Sequence, residues 1–328
     1  MKRIFIMFFC MFLAVLLTGL SGCASKQGIQ TNVRESEYRR MMEMQKQKAA
    51  IADEEKIAKK IRDMTSGDLE QLGDSYIKKG NETMAFMQYQ KAVSLDPKRP
   101  SARYKLGVLY LRKGLPEEAA KEFEEILKID SHNALAREGQ GRVFLVHSQW
   151  EKSKKHFSQA VSIDPNLWQA HAFMGIIYDH ERNYDAAIKA YGKALAINGN
   201  SSMLFNNLGM SYLLKGEYRD SAEAFLKALK IEPENRKIYN NLALALCKLG
   251  KYDTALEAFT KAGDKASAYN NLGYVYMKEQ KYEEAIAAFE KAIEAKPSYY
   301  VKAHENMKKA KAAAIERNPA SAGEMRNQ

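Results

Sequence analysis

Cys23 stands where an uncharged run, Ile4 to Leu17, has ended in Leu20-Ser21-Gly22 and the chain turns abruptly polar. A thiol is a nucleophile, and its place at that border raises the question of which group it takes up. A second candidate is amide chemistry. Asn206-Asn207, Asn240-Asn241 and Asn270-Asn271 occupy equivalent places in three repeated stretches, and a carboxamide offers a donor and an acceptor to a peptide unit of any sequence. Catalytic constellations are missing by comparison. His304-Glu305 is followed by Asn306-Met307-Lys308, without the second histidine of HExxH. The chain has no P-loop, GxSxG or CxxC spacing. His171 and His180 lie nine residues apart with no third ligand placed by the sequence, so they read as helix-surface histidines. The expectation is a chain that is not an enzyme, with no catalytic residue, no metal and no cofactor.

The segment that positions the thiol comes first. Lys2 and Arg3 precede the fourteen-residue apolar run, which as a helix would reach ~21 Å, short of the ~30 Å core of a bilayer. A basic start, a short apolar stretch and small residues at the exit read as a secretory signal peptide over residues 1–22. Its exit, Leu20-Ser21-Gly22-Cys23, resembles the lipobox of bacterial lipoprotein precursors. The resemblance implies that the Cys23 thiol takes a diacylglyceryl group, that the signal is cut before it, and that the new amino group is acylated. Ala24 in place of Asp implies sorting to the outer membrane, with the lipid-anchored chain facing the periplasm. Several acyl chains on one residue hold far more firmly than a single one.

Lys2 and Arg3 carry two of the +11 formal charges, which leaves +9 on residues 23–328. A basic balance can signal nucleic acid. Here Lys121, Lys128, Lys154, Lys189, Lys230 and Lys261 recur singly around presumed helix surfaces and form no block. They read as solvated exterior, and no nucleic-acid partner is expected. Cys10 falls within the signal and Cys23 is the lipid site, so Cys247 is left alone and no internal disulfide can form. Cys247 reads as a small buried apolar residue in preference to a reactive thiol.

Residues 23–35 are polar and aperiodic, as a lipidated tether should be. Residues 36–65 read as an N-terminal helical segment, with Glu35–Arg39 and Glu55–Lys59 at i, i+4 and with Ile57, Ile61 and Met64 on one face. The sequence then repeats itself. Gly73, Gly107, Gly141, Gly175 and Gly209 follow one another at 34 residues, then Ala243 at the same step and Gly273 after 30. Three residues after each comes Tyr76, Tyr110, Phe144, Tyr178, Tyr212, Leu246 or Tyr276. Sixteen after each stands an aromatic: Tyr89, Phe123, Phe157, Tyr191, Phe225, Phe259 and Phe289. Pro97, Pro165, Pro233 and Pro297 close four units.

This spacing resembles the tetratricopeptide repeat. The resemblance implies an all-α fold, a right-handed α-solenoid of seven helix–turn–helix units at 66–99, 100–133, 134–167, 168–201, 202–235, 236–265 and 266–299. Residues 300–316 continue as a Lys-rich capping helix with little apolar face, and the polar tail 317–328 is predicted to be disordered. The sixth unit is four residues short, about one helical turn, so the seventh is expected to pack with altered pitch.

In tetratricopeptide proteins, as the resemblance implies, the first helices line a concave groove that receives peptide segments. Asn207, Asn241 and Asn271 resemble the asparagine ladder by which some relatives hold a peptide backbone, with Asn206, Asn240 and Asn270 beside them. Met210, Leu213, Leu214, Leu244, Tyr274 and Met277 are expected to face the same groove. The competing reading is that Asn before Leu-Gly belongs to the repeat and holds nothing. The first four units carry Gln71, Lys105, Gly139 and Phe173 at the ladder place, with Glu70, Asp74, Lys78, Arg112 and Arg142 around it. Lipobox and repeats together resemble the tetratricopeptide lipoproteins of pilus and secretion systems, of the TadD and PilF/PilW type. The expected role is an outer-membrane scaffold for protein or peptide partners in assembling such a complex. The alternative is an envelope adaptor of the NlpI type, bringing proteases to cell-wall hydrolases.

Overall fold

Helix starts are written into the sequence as caps. Asn81, Asn133, Asn183 and Asp264 each accept a hydrogen bond from the backbone N–H three residues on, at 2.7 to 3.2 Å. That satisfies donors which a helix leaves orphaned in its first turn. Pro100 and Pro116 open helices, where the missing N–H does no harm. Pro97, Pro165 and Pro233 stand two residues past a helix end, where no further turn can form.

The computed structural model describes residues 40–44, 64–296 and 300–317. The expected signal 1–22, Cys23, the expected tether 23–35, most of the segment 36–65, Pro297 and the tail beyond Arg317 lie outside the described residues. The chain divides into Met1–Thr65 and Ser66–Gln328. In the first part residues 40–44 are helical. In the second, all regular structure among the described residues is α-helix.

The helices fall into hairpin pairs. They are α1 (Ser66–Lys78) with α2 (Glu82–Leu95), α3 (Pro100–Arg112) with α4 (Pro116–Ile129), and α5 (Ala134–Val146) with α6 (Trp150–Ile163). Next come α7 (Trp168–His180) with α8 (Tyr184–Ile197) and α9 (Ser202–Lys215) with α10 (Tyr218–Ile231). The last pairs are α11 (Arg236–Lys248) with α12 (Tyr252–Ala262) and α13 (Lys265–Lys278) with α14 (Tyr282–Glu294), followed by α15 (Val301–Arg317). Each helix packs on the next, and first helices of successive units also touch: α3 with α5, α5 with α7, α7 with α9, α9 with α11. No two second helices pack to that extent. The first helices therefore line the inner side of a curved stack.

The repeated small and aromatic residues explain that packing. The ring sixteen places on is buried against the small residue of its own hairpin in unit after unit. A Cβ on Gly141 would fall 2.7 Å from the Phe157 ring, and one on Gly209 equally close to Phe225. The alanine between them in sequence is also buried, and where serine replaces it the hydroxyl is satisfied. Ser153 Oγ donates to the Gly141 carbonyl at 2.7 Å and Ser221 Oγ to that of Gly209 at 2.8 Å.

The hairpin turns share one left-handed residue. Gly80, Gly114, Gly216 and Gly250 have φ of 72 to 92°, and Ser148, Arg182 and Gln280 hold the same place at 55 to 61°. For a non-glycine residue that conformation costs about 1–2 kcal/mol, against about 0.5–1 kcal/mol for the extra freedom glycine loses on folding. Strain is the larger effect. Arg182→Gly is therefore expected to stabilise the chain by roughly 0.5–1 kcal/mol, read as a higher midpoint in urea unfolding at unchanged slope.

Helix α12 has 11 residues where the other second helices have 13 or 14. It stops at an extended Gly263, and Asp264 at once caps α13. Helix α15 differs from the expectation of little apolar face. Ala303, Ala310 and Ala314 are buried, and Met307 packs on the cluster around Phe289. Alanines contribute little to hydropathy but allow close approach. His171 also departs from its reading as a surface residue: it is buried, and its Nε2–H donates to the Pro165 carbonyl at 3.0 Å. Cys247 is buried, and burial pushes its thiol up to about 12.

Candidate functional site

The first helices carry a concavity of about 530 Å³ on the inner side of the first five units. Its wall combines Val108, Ile176 and Met203 with the rings of Tyr104, Trp168 and Phe173. Lys105, Arg112 and Arg142 supply its cations. Rings and aliphatic chains with a few fixed polar groups are what a groove needs to hold a partly apolar segment.

At one end the charges are spent on each other. Buried Glu70 accepts from Arg99 Nε at 2.5 Å and Ser101 Oγ at 2.8 Å, and pairs with Lys105 Nζ at 2.8 Å. Lys105 also reaches Asp74 at 2.6 Å, and the Tyr89 hydroxyl donates to Asp74 at 2.7 Å. Burial alone would raise the Glu70 carboxyl, but the Lys105, Arg99 and Ser101 hydrogen bonds outweigh it and hold it below its ordinary range. Burial and then the Asp74 hydrogen bond push the Tyr89 hydroxyl upward. This network fixes α1 against α3 and leaves little charge for a ligand.

Deeper along the groove the balance reverses. Glu138 is buried, and the Tyr104 hydroxyl donates to its Oε2 at 2.8 Å. Its Oε1 has no hydrogen-bond partner, and Arg142 Nη1 stays 3.8 Å away. The Arg142 guanidinium instead lies over the Phe173 ring, 5.4 Å from its centroid, a cation–π contact. Burial pushes the Glu138 carboxyl above its ordinary value, with Arg142 and the Tyr104 hydrogen bond opposing. A folded chain that holds this proton more tightly than the unfolded one gains most below the ordinary carboxylate range. It loses that gain as pH rises through the folded value. Glu138→Gln keeps an acceptor for Tyr104 and carries no charge. It is expected to add about 1 kcal/mol at pH 7, a Tm rise of roughly 2–4 °C, and to flatten stability against pH above the ordinary carboxylate range. A variant less stable than the wild type at pH 7 would show that Arg142 holds an ionised Glu138.

The asparagines are partly engaged with one another. Asn241 Nδ2 donates to Asn206 Oδ1 at 2.8 Å across a unit boundary, and Asn306 Nδ2 of α15 donates to Asn270 Oδ1 at 3.0 Å. Asn240 Oδ1 is buried without a hydrogen-bond partner. Asn206 and Asn241 are 35 residues apart, whereas Asn240 and Asn271 are 31 apart. The short sixth unit interrupts the pairing there. Asn207 borders the inner concavity. Leu214, Leu244 and Tyr274 are exposed. Met210 and Leu213 pack on the core shared by α10 to α13, and Met277 on the Phe289 cluster. Gly139, at the ladder place of the third unit, lies against Phe123, where a Cβ would fall 2.6 Å from the ring.

Tyr104, Val108, Trp168, Ile176 and Met203 were not singled out from sequence. The signal was present, because Val108 and Ile176 fall one and three units along from Asp74 in the same column of the repeat as Arg142 and Met210. Among the described residues no group of three His, Cys, Asp or Glu could hold a metal, and no helix is long and apolar enough to cross a membrane.

Comparison with known proteins agrees with this fold. Residues 33–270 match the family model of the cilia and flagella-associated protein 70 C-terminal domain, and residues 266–299 match the tetratricopeptide repeat. The crystal structure of the APC/C hetero-tetramer Cut9-Hcn1 is similar, with TM-score 0.55 and 19% identity over 73% of this chain and 48% of that one. This chain thus spans about half the length of that one. The C-terminal part of a repeat-containing protein from Cytophaga hutchinsonii gives TM-score 0.52 and 19% identity, over 72% of this chain and 98% of that one. A thermophilic repeat protein of Thermus thermophilus gives TM-score 0.50 and 18% identity, over 56% of this chain and 100% of that one. At such identities the likeness is one of fold. No curated protein matches the chain. Repeat by repeat, from its buried rings to its inner groove, the chain belongs to the tetratricopeptide-repeat family, within the group described by the cilia and flagella-associated protein 70 C-terminal domain.

Proposed function

We propose that this chain is a lipid-anchored scaffold of the outer membrane that receives a protein segment along its inner groove during assembly of a pilus or secretion complex. Tetratricopeptide folds are interaction scaffolds, typically without catalysis of their own. The observation that carries the reading is the concavity on the first five units, where apolar rings stand beside Arg112 and Arg142. Asn207, Asn241 and Asn271 extend the same inner face toward the last units and offer polar atoms to a backbone, Asn241 through its Oδ1 because its Nδ2 already bonds Asn206. The thiol of Cys23, at its lipobox-like border, supports the anchor.

Two measurements test the two halves of the proposal. Metabolic labelling with a fatty-acid analogue should mark the chain, and Cys23→Ser should abolish the label and release the protein from the membrane fraction. Label that persists removes the anchor at Cys23. For the groove, Ile176→Glu with Met203→Glu places charge on two exposed apolar positions. Crosslinked partners recovered from the cell envelope should fall at least tenfold, while Lys121→Ala with Lys189→Ala on the outer helices changes nothing. Asn207→Ala should weaken capture by about 0.5–1.5 kcal/mol, and it leaves the Asn206–Asn241 contact intact. Pilin or secretin subunits among the partners fit the proposal. Proteases and cell-wall hydrolases in their place would favour the adaptor reading.

A further inference from the structure

The outer side carries a vacancy that the repeat itself explains. Three residues after the small position every unit has a ring except the sixth, which has Leu246. In the second unit that ring, Tyr110, meets Phe86 of the preceding second helix edge to face, with centroids 5.2 Å apart. Gln90, Glu118 and Glu122 surround its hydroxyl. In the seventh unit Tyr276 packs on Tyr252 at 4.7 Å. Four units on from Phe86 and Tyr110 stand Ala222 and Leu246, and the places of Gln90, Glu118 and Glu122 are taken by Leu226, Thr254 and Ala258. The recurring ring is gone, the place of Phe86 holds alanine as it does at Ala120 of the second unit, and the polar surroundings have turned mainly apolar.

A cavity of about 550 Å³ opens there, between α10 and α12. Leu229, Leu242, Leu246 and Ala258 line its apolar surface, and Leu226, 51% exposed, stands beside it. Lys227, Lys230 and Lys261 border the same cavity, as do Glu223 and Glu257. Lys227 is paired with Glu223 at 2.7 Å. Lys230 and Lys261 make no ion pair among the described residues, and the Lys261 ammonium lies over the Tyr239 ring, 5.5 Å from its centroid.

We propose that this cavity receives an aromatic side chain of a partner protein, presented on an acidic segment. The ring missing at Leu246 sets the shape, and a buried aromatic side chain is a common anchor of a protein interface. Lys230 and Lys261 outnumber Glu257, the one lining carboxylate without an ion pair among the described residues, so the charge beside it is positive and steers a segment of opposite charge. The site lies on the second-helix side, so it stands or falls independently of the inner groove.

The probe is a synthetic peptide with one phenylalanine flanked on each side by three glutamates, titrated into the full chain by fluorescence anisotropy. Saturable binding is expected, at least tenfold weaker when alanine replaces the phenylalanine or lysines replace the glutamates. Leu246→Tyr restores the ring found in the other units. It should hold or raise the Tm and weaken the peptide at least tenfold. Lys230→Glu with Lys261→Glu, which leaves the core untouched, should weaken it as much. The groove variant Ile176→Glu with Met203→Glu should bind the peptide as the wild type does. The proposal is overturned by a peptide that fails to saturate at millimolar concentration or that binds Leu246→Tyr unchanged. A lowered Tm in Leu246→Tyr would show that the vacancy is not ring-shaped. Loss of binding in the groove variant would place the peptide on the inner side, and phenylacetate binding as tightly as the peptide would make this a small-molecule site.

Discussion

Phe225→Ala is expected to destabilise the fifth unit by about 3–5 kcal/mol and to loosen the units on either side. The ring is fully buried and seated on Gly209, where even a methyl group would fall 2.7 Å away. Gly209 has no side chain that can move in to fill the hole. The ring also belongs to the cluster that ties Ala228 and Leu229 to Ile238, Leu242 and Leu246 of the next unit. A domain has about 5–15 kcal/mol in total, so this loss is a large share of it. In a stack whose units contact only their neighbours, the loss is felt locally before it is felt globally. Hydrogen exchange in residues 202–265 should rise before that in residues 66–133, and the thermal transition should broaden. A change below about 1 kcal/mol would show that the ring contributes little to holding the hairpin.

The hairpins were legible because one packing constraint repeats. Gly, then an aromatic sixteen residues on, is a statement about two helices touching, and the structure places ring on glycine in each such pair. The left-handed turn residue was harder to see. Gly80, Gly114, Gly216 and Gly250 mark it, but Ser148, Arg182 and Gln280 occupy it with no signal of their own type. The packing of α15 was hidden for another reason. An alanine stripe spaced by seven and four residues barely registers as apolar, yet Ala303, Ala310 and Ala314 are the residues it buries. His171 read as surface because histidine type does not reveal the Pro165 carbonyl waiting six residues earlier.

The groove was legible by column and not by residue type. Asparagine attracted attention because packing does not require it, but a side chain with two hydrogen-bonding ends also satisfies itself. Asn206 and Asn241 do so across a unit boundary, and no rule of spacing separates that from a free ladder. The apolar wall of the inner concavity is ordinary in composition. Val108, Ile176 and Met203 resemble core residues until curvature places them on an inner face. Curvature arises from first helices touching across units while second helices do not, a property of the whole stack that no single repeat displays.

Removing residues 300–328 is expected to raise hydrogen exchange across residues 266–296 by orders of magnitude while residues 66–201 keep their protection. Helix α15 packs on both α13 and α14, and it buries Ala310 against Ala285 and Phe289, with Met307 beside them. Two polar contacts go with it: Asn306 Nδ2 to Asn270 Oδ1 at 3.0 Å and Arg317 Nη1 to the Gln280 carbonyl at 2.9 Å. Exposing one phenylalanine face loses about 1.5–3 kcal/mol and each of the two net hydrogen bonds about 0.5–1.5 kcal/mol, so the seventh unit loses about 2.5–6 kcal/mol. How far the loss spreads depends on the neighbouring interface. Ala268, Leu272 and Val275 of α13 share a cluster with α10, α11 and α12, so exchange in residues 236–265 should rise as well, by less. Asn240 Oδ1, buried without a hydrogen-bond partner at the short sixth unit, adds nothing to oppose that spread. Asn306→Ala separates the polar part from the rest: it should reproduce a fraction of the effect, confined to residues 266–296. Equal loss of protection along the whole of residues 66–296 would mean that the stack melts as one cooperative body and not by nearest-neighbour steps.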